Sequence, residues 1–157
     1  MLSGRAQKNY NLSAATTIML RISSLKKLVT DSMAIDLGTA STIIAVEGRG
    51  VVLDEPSLVA INEISEEIVA FGQEAGDMAG REGRDVVVRA PLIGGVVGDF
   101  ERTKKMLAHF VKKARTGGSN LSLQAVMSMV SDVTQVEQRA LLNAAEESHI
   151  GKVFMME

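Results

Sequence analysis

Asp36-Leu37-Gly38-Thr39-Ala40-Ser41-Thr42 lies between two apolar runs, Met33-Ala34-Ile35 and Ile43-Ile44-Ala45-Val46. That order predicts a strand, a tight glycine turn and a second strand. Gly38 can adopt backbone angles denied to other residues and has no side chain to block a ligand. Thr39, Ala40 and Ser41 offer successive N–H groups and two hydroxyls, which are phosphate donors. Asp36, at the strand end, can reach a magnesium ion through water. The stretch therefore has two readings: the first half of a phosphate clamp, or an ordinary hairpin.

Composition narrows the classes. The 157 residues are 46% apolar, enough for one domain with a sizeable core. A net charge of −2 gives no support to nucleic-acid binding. Five of the basic residues but only one acidic residue fall in 1–32, so that segment carries +4. The chain has no cysteine, which excludes disulfides and thiolate metal sites and suits a reducing compartment. His109 and His149 are too far apart in sequence to suggest a metal site. No apolar run is long enough to span a membrane.

Residues 1–18 are polar, small and unpatterned. They read as a disordered leader, or as an upstream start with Met19 the natural initiator. Residues 19–31 read as a basic amphipathic segment. Ile22, Leu25, Leu28 and Val29 fall on one helical face, with Lys26 and Lys27 toward the other side. Such a helix can lie in an anionic membrane surface or pack on the domain. The meander 33–37, 42–47 and 50–54 follows, with 58–61 expected to continue its last strand. Glu66–Phe71 and Val86–Val88 are further expected strands. Asp99 should cap a helix buried through Met106, Leu107, Phe110, Val111 and Ala114 and ended by Gly117-Gly118. Leu121–Val130 should be a strand. Thr134 should start a second helix buried through Val136, Ala140, Leu141 and Ala144, with Gly151 ending it before a strand at 153–156. This alternation predicts an α/β layer. Thr134-x-x-Glu137 is also a capping box.

Gly48-Arg49-Gly50-Val51-Val52-Leu53-Asp54-Glu55-Pro56-Ser57-Leu58-Val59-Ala60-Ile61 closely resembles the MreB family of bacterial actins, which reads D-L-G-T-A-N-T and then G-x-G-I-V-L-N-E-P-S-V-V-A-I. The likeness continues through Phe71-Gly72, Met78-Ala79-Gly80-Arg81, Gly95-Val96-Val97-Gly98-Asp99-Phe100, Thr103-Lys104-Lys105-Met106-Leu107 and Thr134-Gln135-Val136-Glu137-Gln138-Arg139-Ala140. It ends at Val153-Phe154-Met155-Met156-Glu157, so it spans about residues 33–157 in order.

The resemblance implies the first ribonuclease-H-like domain of the actin fold: a mixed five-stranded sheet with helices and a small inserted subdomain at about 62–90. It implies an ATP-dependent filament protein of cell-shape determination, cytoplasmic and peripheral to the inner membrane. The implied partners are MreB-type subunits, the membrane surface and the cell-wall elongation machinery, with no nucleic acid. By the same resemblance Asp36, Gly38, Thr39, Ala40 and Ser41 face ATP and its Mg2+. Glu137 positions or activates the water attacking the γ-phosphate. Ile22, Leu25, Lys26, Lys27 and Leu28 touch the membrane.

The family's second phosphate hairpin, D-x-G-G-G-T, and its adenosine loops come after Glu157, so the expectation for these residues is weak nucleotide binding and negligible turnover. Departures inside the motifs point the same way. Ser41 replaces the usual Asn, and Val130-Ser131-Asp132 lacks the family's proline and glycine and adds a negative charge. Ala90-Pro91-Leu92-Ile93-Gly94-Gly95-Val96 lacks the Arg, Lys and Asp of the family's R-P-x-K-D-G-V. A family helix after the last strand is also missing, so one sheet face, fed by Leu123, Val126 and Val153, should be partly uncovered. The open alternatives are a piece of an ATPase, a non-catalytic module that modulates MreB filaments, and a degenerate fragment. A sugar-kinase-like phosphotransferase lobe fits the Glu55-Pro56-Ser57 and Val136–Ala140 matches less well.

Overall fold

A computed structural model describes residues 31–81, 83–94, 96–115, 123–128, 134–148 and 150–156. The expected leader, the amphipathic segment with Ile22, Leu25, Lys26, Lys27 and Leu28, the Gly117-Gly118 stop and Val130-Ser131-Asp132 lie outside the described residues. β1 (Asp31–Leu37), β2 (Ser41–Val46) and β3 (Gly50–Pro56) form the expected antiparallel meander. β9 (Leu123–Ser128) and β10 (Lys152–Met156) extend it in parallel, giving one mixed five-stranded sheet in the order β10-β9-β1-β2-β3.

Strand alternation decides what each sheet face does. Met33, Ile35, Leu37, Ile44, Val46, Leu53, Ala125 and Met127 share one face and are buried. α2 (Phe100–Ala114) and α3 (Gln135–Glu147) cover that face. α2 contributes Met106, Leu107, Phe110, Val111 and Ala114, the stripe expected from the sequence. Each of these larger side chains adds roughly 1.5–3 kcal/mol of transfer free energy, before cavity terms. Asp99 accepts from the Arg102 N–H at 3.0 Å, so the expected cap is present.

A second, three-stranded sheet is ordered β5-β4-β6, from β4 (Val59–Asn62), β5 (Ile68–Phe71) and β6 (Val86–Arg89). The expectation that 58–61 prolongs β3 is therefore wrong. Pro56 has no N–H to continue a ladder, and the chain turns at Ser57-Leu58 into the centre of a different sheet. α1 (Gly72–Met78), which no apolar periodicity announced, packs Ala75 against Ala60 and Ala70. The two-residue strands β7 (Leu92–Ile93) and β8 (Val96–Val97) return the chain to α2.

Three further residues differ from expectation. Val136 is 79% exposed rather than buried, and Leu141, Ala144 and Ala145 form the buried face of α3. α3 stops at Glu147, where Ser148 caps it by donating to the Ala144 carbonyl at 2.6 Å, before Gly151 is reached. Val153 pairs with Ala125 and packs on the helix side; the opposite face carries Val126, Phe154 and Met156.

Candidate functional site

Asp36 and the turn after it leave the sheet at the carboxyl end of β1. β9 runs parallel to β1 and ends beside it: Ser128 Oγ donates to Asp36 Oδ1 at 2.5 Å. The β9–α3–β10 connection joins parallel strands, so α3 runs back against them and starts at this same end of the sheet. Asp36, residues 38–41 and the first turn of α3 thus share the edge where open α/β sheets bind ligands.

Gly38 serves the turn by close approach rather than by unusual backbone angles. It is absent from the glycines with positive φ, but a Cβ on it would come within 2.9 Å of the Ser41 carbonyl. The Gly38 N–H donates to that oxygen at 3.1 Å. Two more turn carbonyls are also engaged inward. Gly38 O accepts from Ser57 Oγ at 2.6 Å, and Ala40 O accepts from the Ser57 N–H at 3.1 Å. Ala40 itself is exposed. With the carbonyls of residues 38, 40 and 41 tied to the protein, the turn presents a surface suited to an anion.

Glu137 makes the full capping box. Its Oε2 accepts from the Thr134 N–H at 2.7 Å and from Thr134 Oγ1 at 2.8 Å, while its own N–H donates to Thr134 Oγ1 at 3.3 Å. The backbone bond first, and the hydroxyl bond second, hold the Glu137 carboxyl below its usual range. Both bonds to the carboxylate end on Oε2, so Oε1 lies outside the box. The cap and the role implied by resemblance are therefore compatible in one side chain.

Among the described residues no three His, Cys, Asp or Glu side chains gather into a metal cage. Asp36 is a lone exposed carboxylate with one oxygen engaged. A single carboxylate of this kind can accept from the water shell of a hydrated cation. No helix of the described residues is long and apolar enough to cross a membrane.

Residue-by-residue reading missed Ser57, Thr42 and Ser128 as site-building groups. Ser57 and Thr42 are fully buried, their hydroxyls 2.8 Å apart. The available signal was a serine directly after Pro56 between apolar segments, where a buried hydroxyl needs a partner. Ser128 showed only as a polar residue inside the strand expected at Leu121–Val130, and the observed β9 ends at it.

The family model described as MreB/Mbl protein matches residues 30–157. The chain is 41% identical to the cell shape-determining protein Mbl of Bacillus subtilis (strain 168) over 125 residues, covering 80% of this chain and 38% of that protein. It is 34% identical to the cell shape-determining protein MreB of Escherichia coli (strain K12) over 141 residues, covering 87% of this chain and 41% of that one. The chain therefore spans about two fifths of these relatives' length. MreB5 of Spiroplasma citri bound to ADP superposes with a TM-score of 0.73 at 33% identity, over 82% of this chain and 38% of that one. A MamK double helical filament superposes with a TM-score of 0.68 at 22% identity, over 80% and 40%, a likeness of fold.

Proposed function

This chain belongs to the MreB/Mbl family, and we propose that it supplies the phosphate-facing first domain of an ATP-dependent, filament-forming protein of cell-shape determination. The observation that carries this reading is the turn at 38–41, whose carbonyls at residues 38, 40 and 41 are bonded within the protein beside Asp36 at the carboxyl end of β1. It is supported by the relative MreB5, crystallised with ADP and with AMPPNP. In this reading the turn's N–H groups take the polyphosphate and Asp36 accepts from water around magnesium. Glu137 holds the attacking water through Oε1, its other oxygen being fixed by Thr134. One turn leaves much of the phosphate charge facing water, where each contact is worth little, so affinity of these residues alone is low. Calorimetric titration with Mg-ATP tests the reading. Saturable heat that Gly38→Val abolishes supports it; no saturation at millimolar nucleotide rejects it.

The membrane is the second element of the proposal. Residues 19–29 would lie in the inner leaflet, Ile22, Leu25 and Leu28 inserting and Lys26 and Lys27 meeting anionic headgroups at about 1 kcal/mol each. Flotation with anionic vesicles should be lost in Leu25→Asp; equal flotation of both forms removes this element.

A non-catalytic role on MreB-type filaments is the second reading, favoured by the exposed Val126, Phe154 and Met156 on the open sheet face. It predicts co-sedimentation with MreB-type filaments without nucleotide turnover, and a chain that stays in the supernatant would remove it.

A further inference from the structure

We propose that Ser57 is a positioning residue for the phosphate-facing turn, holding the Gly38 and Ala40 carbonyl oxygens away from the bound phosphate. The inference rests on the reading of residues 38–41 as a phosphate site. Ser57 is fully buried in the two-residue link between β3 and β4. It makes two bonds to the turn, Oγ to Gly38 O at 2.6 Å and N–H to Ala40 O at 3.1 Å. A hydroxyl has one proton, and that of Ser57 goes to Gly38. Thr42 must then be the donor in the 2.8 Å pair of hydroxyls. The result is a directed relay, Thr42 to Ser57 to the Gly38 carbonyl, in which every hydroxyl proton is used.

The direction matters for an anion. A peptide carries its partial negative charge on oxygen, so a carbonyl turned toward a triphosphate opposes the neighbouring N–H groups. Gly38 closes the third carbonyl, that of Ser41, within the turn. The carbonyls of residues 38 and 40 depend on Ser57 alone among the described residues. Water cannot stand in for the hydroxyl at a fully buried position, so loss of Oγ leaves the Gly38 carbonyl free to rotate. The same link continues into the second sheet, since the Leu58 carbonyl accepts the Gly72 N–H at 2.9 Å. The serine thus braces the turn against a junction that is itself hydrogen-bonded to the start of α1.

The test uses the full chain, with inorganic triphosphate and magnesium as the probe, read from the amide NMR shifts of residues 39–41. Ser57→Ala should raise the dissociation constant about tenfold, the scale of one hydrogen bond to a group facing charge. Ser57→Thr, which keeps the hydroxyl, should restore most of the affinity. Ser148→Ala is the control: it removes another buried serine-to-carbonyl bond of 2.6 Å, at the far end of α3. It should lower the melting temperature comparably while leaving affinity within about twofold. Wild-type affinity in Ser57→Ala, or equal weakening in Ser148→Ala, would overturn the positioning role while leaving the phosphate site standing. No saturable shift in the wild type would overturn the phosphate reading itself. Should Ser57→Ala not fold, Ser57→Cys takes its place, its thiol filling the site but donating weakly.

Discussion

Ser128 Oγ and Asp36 Oδ1, from residues 92 positions apart, meet at 2.5 Å where β9 and β1 end. The bond orients one carboxylate oxygen and leaves the other for water. Asp36→Asn keeps the shape and the acceptor but removes the charge. We expect it to erase the difference between ATP affinity with and without magnesium, measured by calorimetry. Ser128→Ala should keep that difference and cost less than about 1 kcal/mol of stability, because the pair is exposed.

Glu137 predicts a pH dependence. Thr134 lowers its carboxyl in the folded chain, first through the backbone N–H and then through the hydroxyl. A depressed folded value means that folding favours the ionised form. The contribution is therefore fully present above the ordinary glutamate value of 4.5 and is lost as pH falls through the lower folded value. Glu137→Ala should reduce the melting temperature at neutral pH and make little difference once the carboxyl is protonated. Glu137→Gln, which can still accept from Thr134, should keep much of the cap. A stability gap that persists undiminished in acid would contradict the assignment.

Repeating local patterns were the legible part of this fold. The meander around Asp36, the α2 stripe and the Thr134–Glu137 box each follow from period or spacing, and all appear where expected. The junction at Pro56-Ser57 was not legible. An apolar run at 58–61 looks the same whether it prolongs β3 or begins another sheet, and only tertiary pairing separates the two. Helix α1 escaped because its seven residues include Gly72 and Gly76 and bury only Gly72 and Ala75. Val136 departs from expectation because the apolar periodicity of the α3 sequence does not say where its stripe begins. At the site, the turn was readable from Asp36–Ser41, but Ser57 and Ser128 act across sequence gaps of 19 and 92 that no local pattern records.

Gly72 opens α1 with φ +60°, a conformation that disfavours any side chain. A Cβ there would lie 2.0 Å from Glu55 Oε2 and 2.9 Å from Phe110 Cε1. That Glu55 oxygen accepts the Gln73 N–H at 3.2 Å, and Oε1 pairs with Lys113 at 2.5 Å. One methyl group would thus strain the backbone and displace the carboxylate that joins β3, α1 and α2. Gly72→Ala should cost at least about 2 kcal/mol, read from chemical denaturation. Lys113→Met, by contrast, should cost under about 1 kcal/mol and only at low salt, since Lys113 is 52% exposed. A Gly72→Ala protein as stable as the wild type would mean that Glu55 is not held where it appears.

Phe154 and Val153 are neighbours in β10 with opposite surroundings, which makes the two sheet faces separable by mutation. Phe154 pairs with Val126, and Val126 with Ala34, forming an apolar row on the face away from α2 and α3. Phe154 is 45% exposed and Met156 59%, with the Lys152 ammonium 4.6 Å from the Phe154 ring. Nothing among the described residues covers that row. Contiguous exposed apolar surface favours association and binding of hydrophobic dyes. Replacing Phe154 and Met156 together by Lys should reduce both in light scattering and dye fluorescence, with the melting temperature little changed. Val153→Lys should instead destabilise the fold by about 2 kcal/mol or more, because its half-buried side chain packs against the core between the sheet and the helices. The reverse outcome, a tolerated Val153→Lys and a destabilising Phe154→Lys, would show that the covered and open faces have been interchanged by a one-residue shift in register.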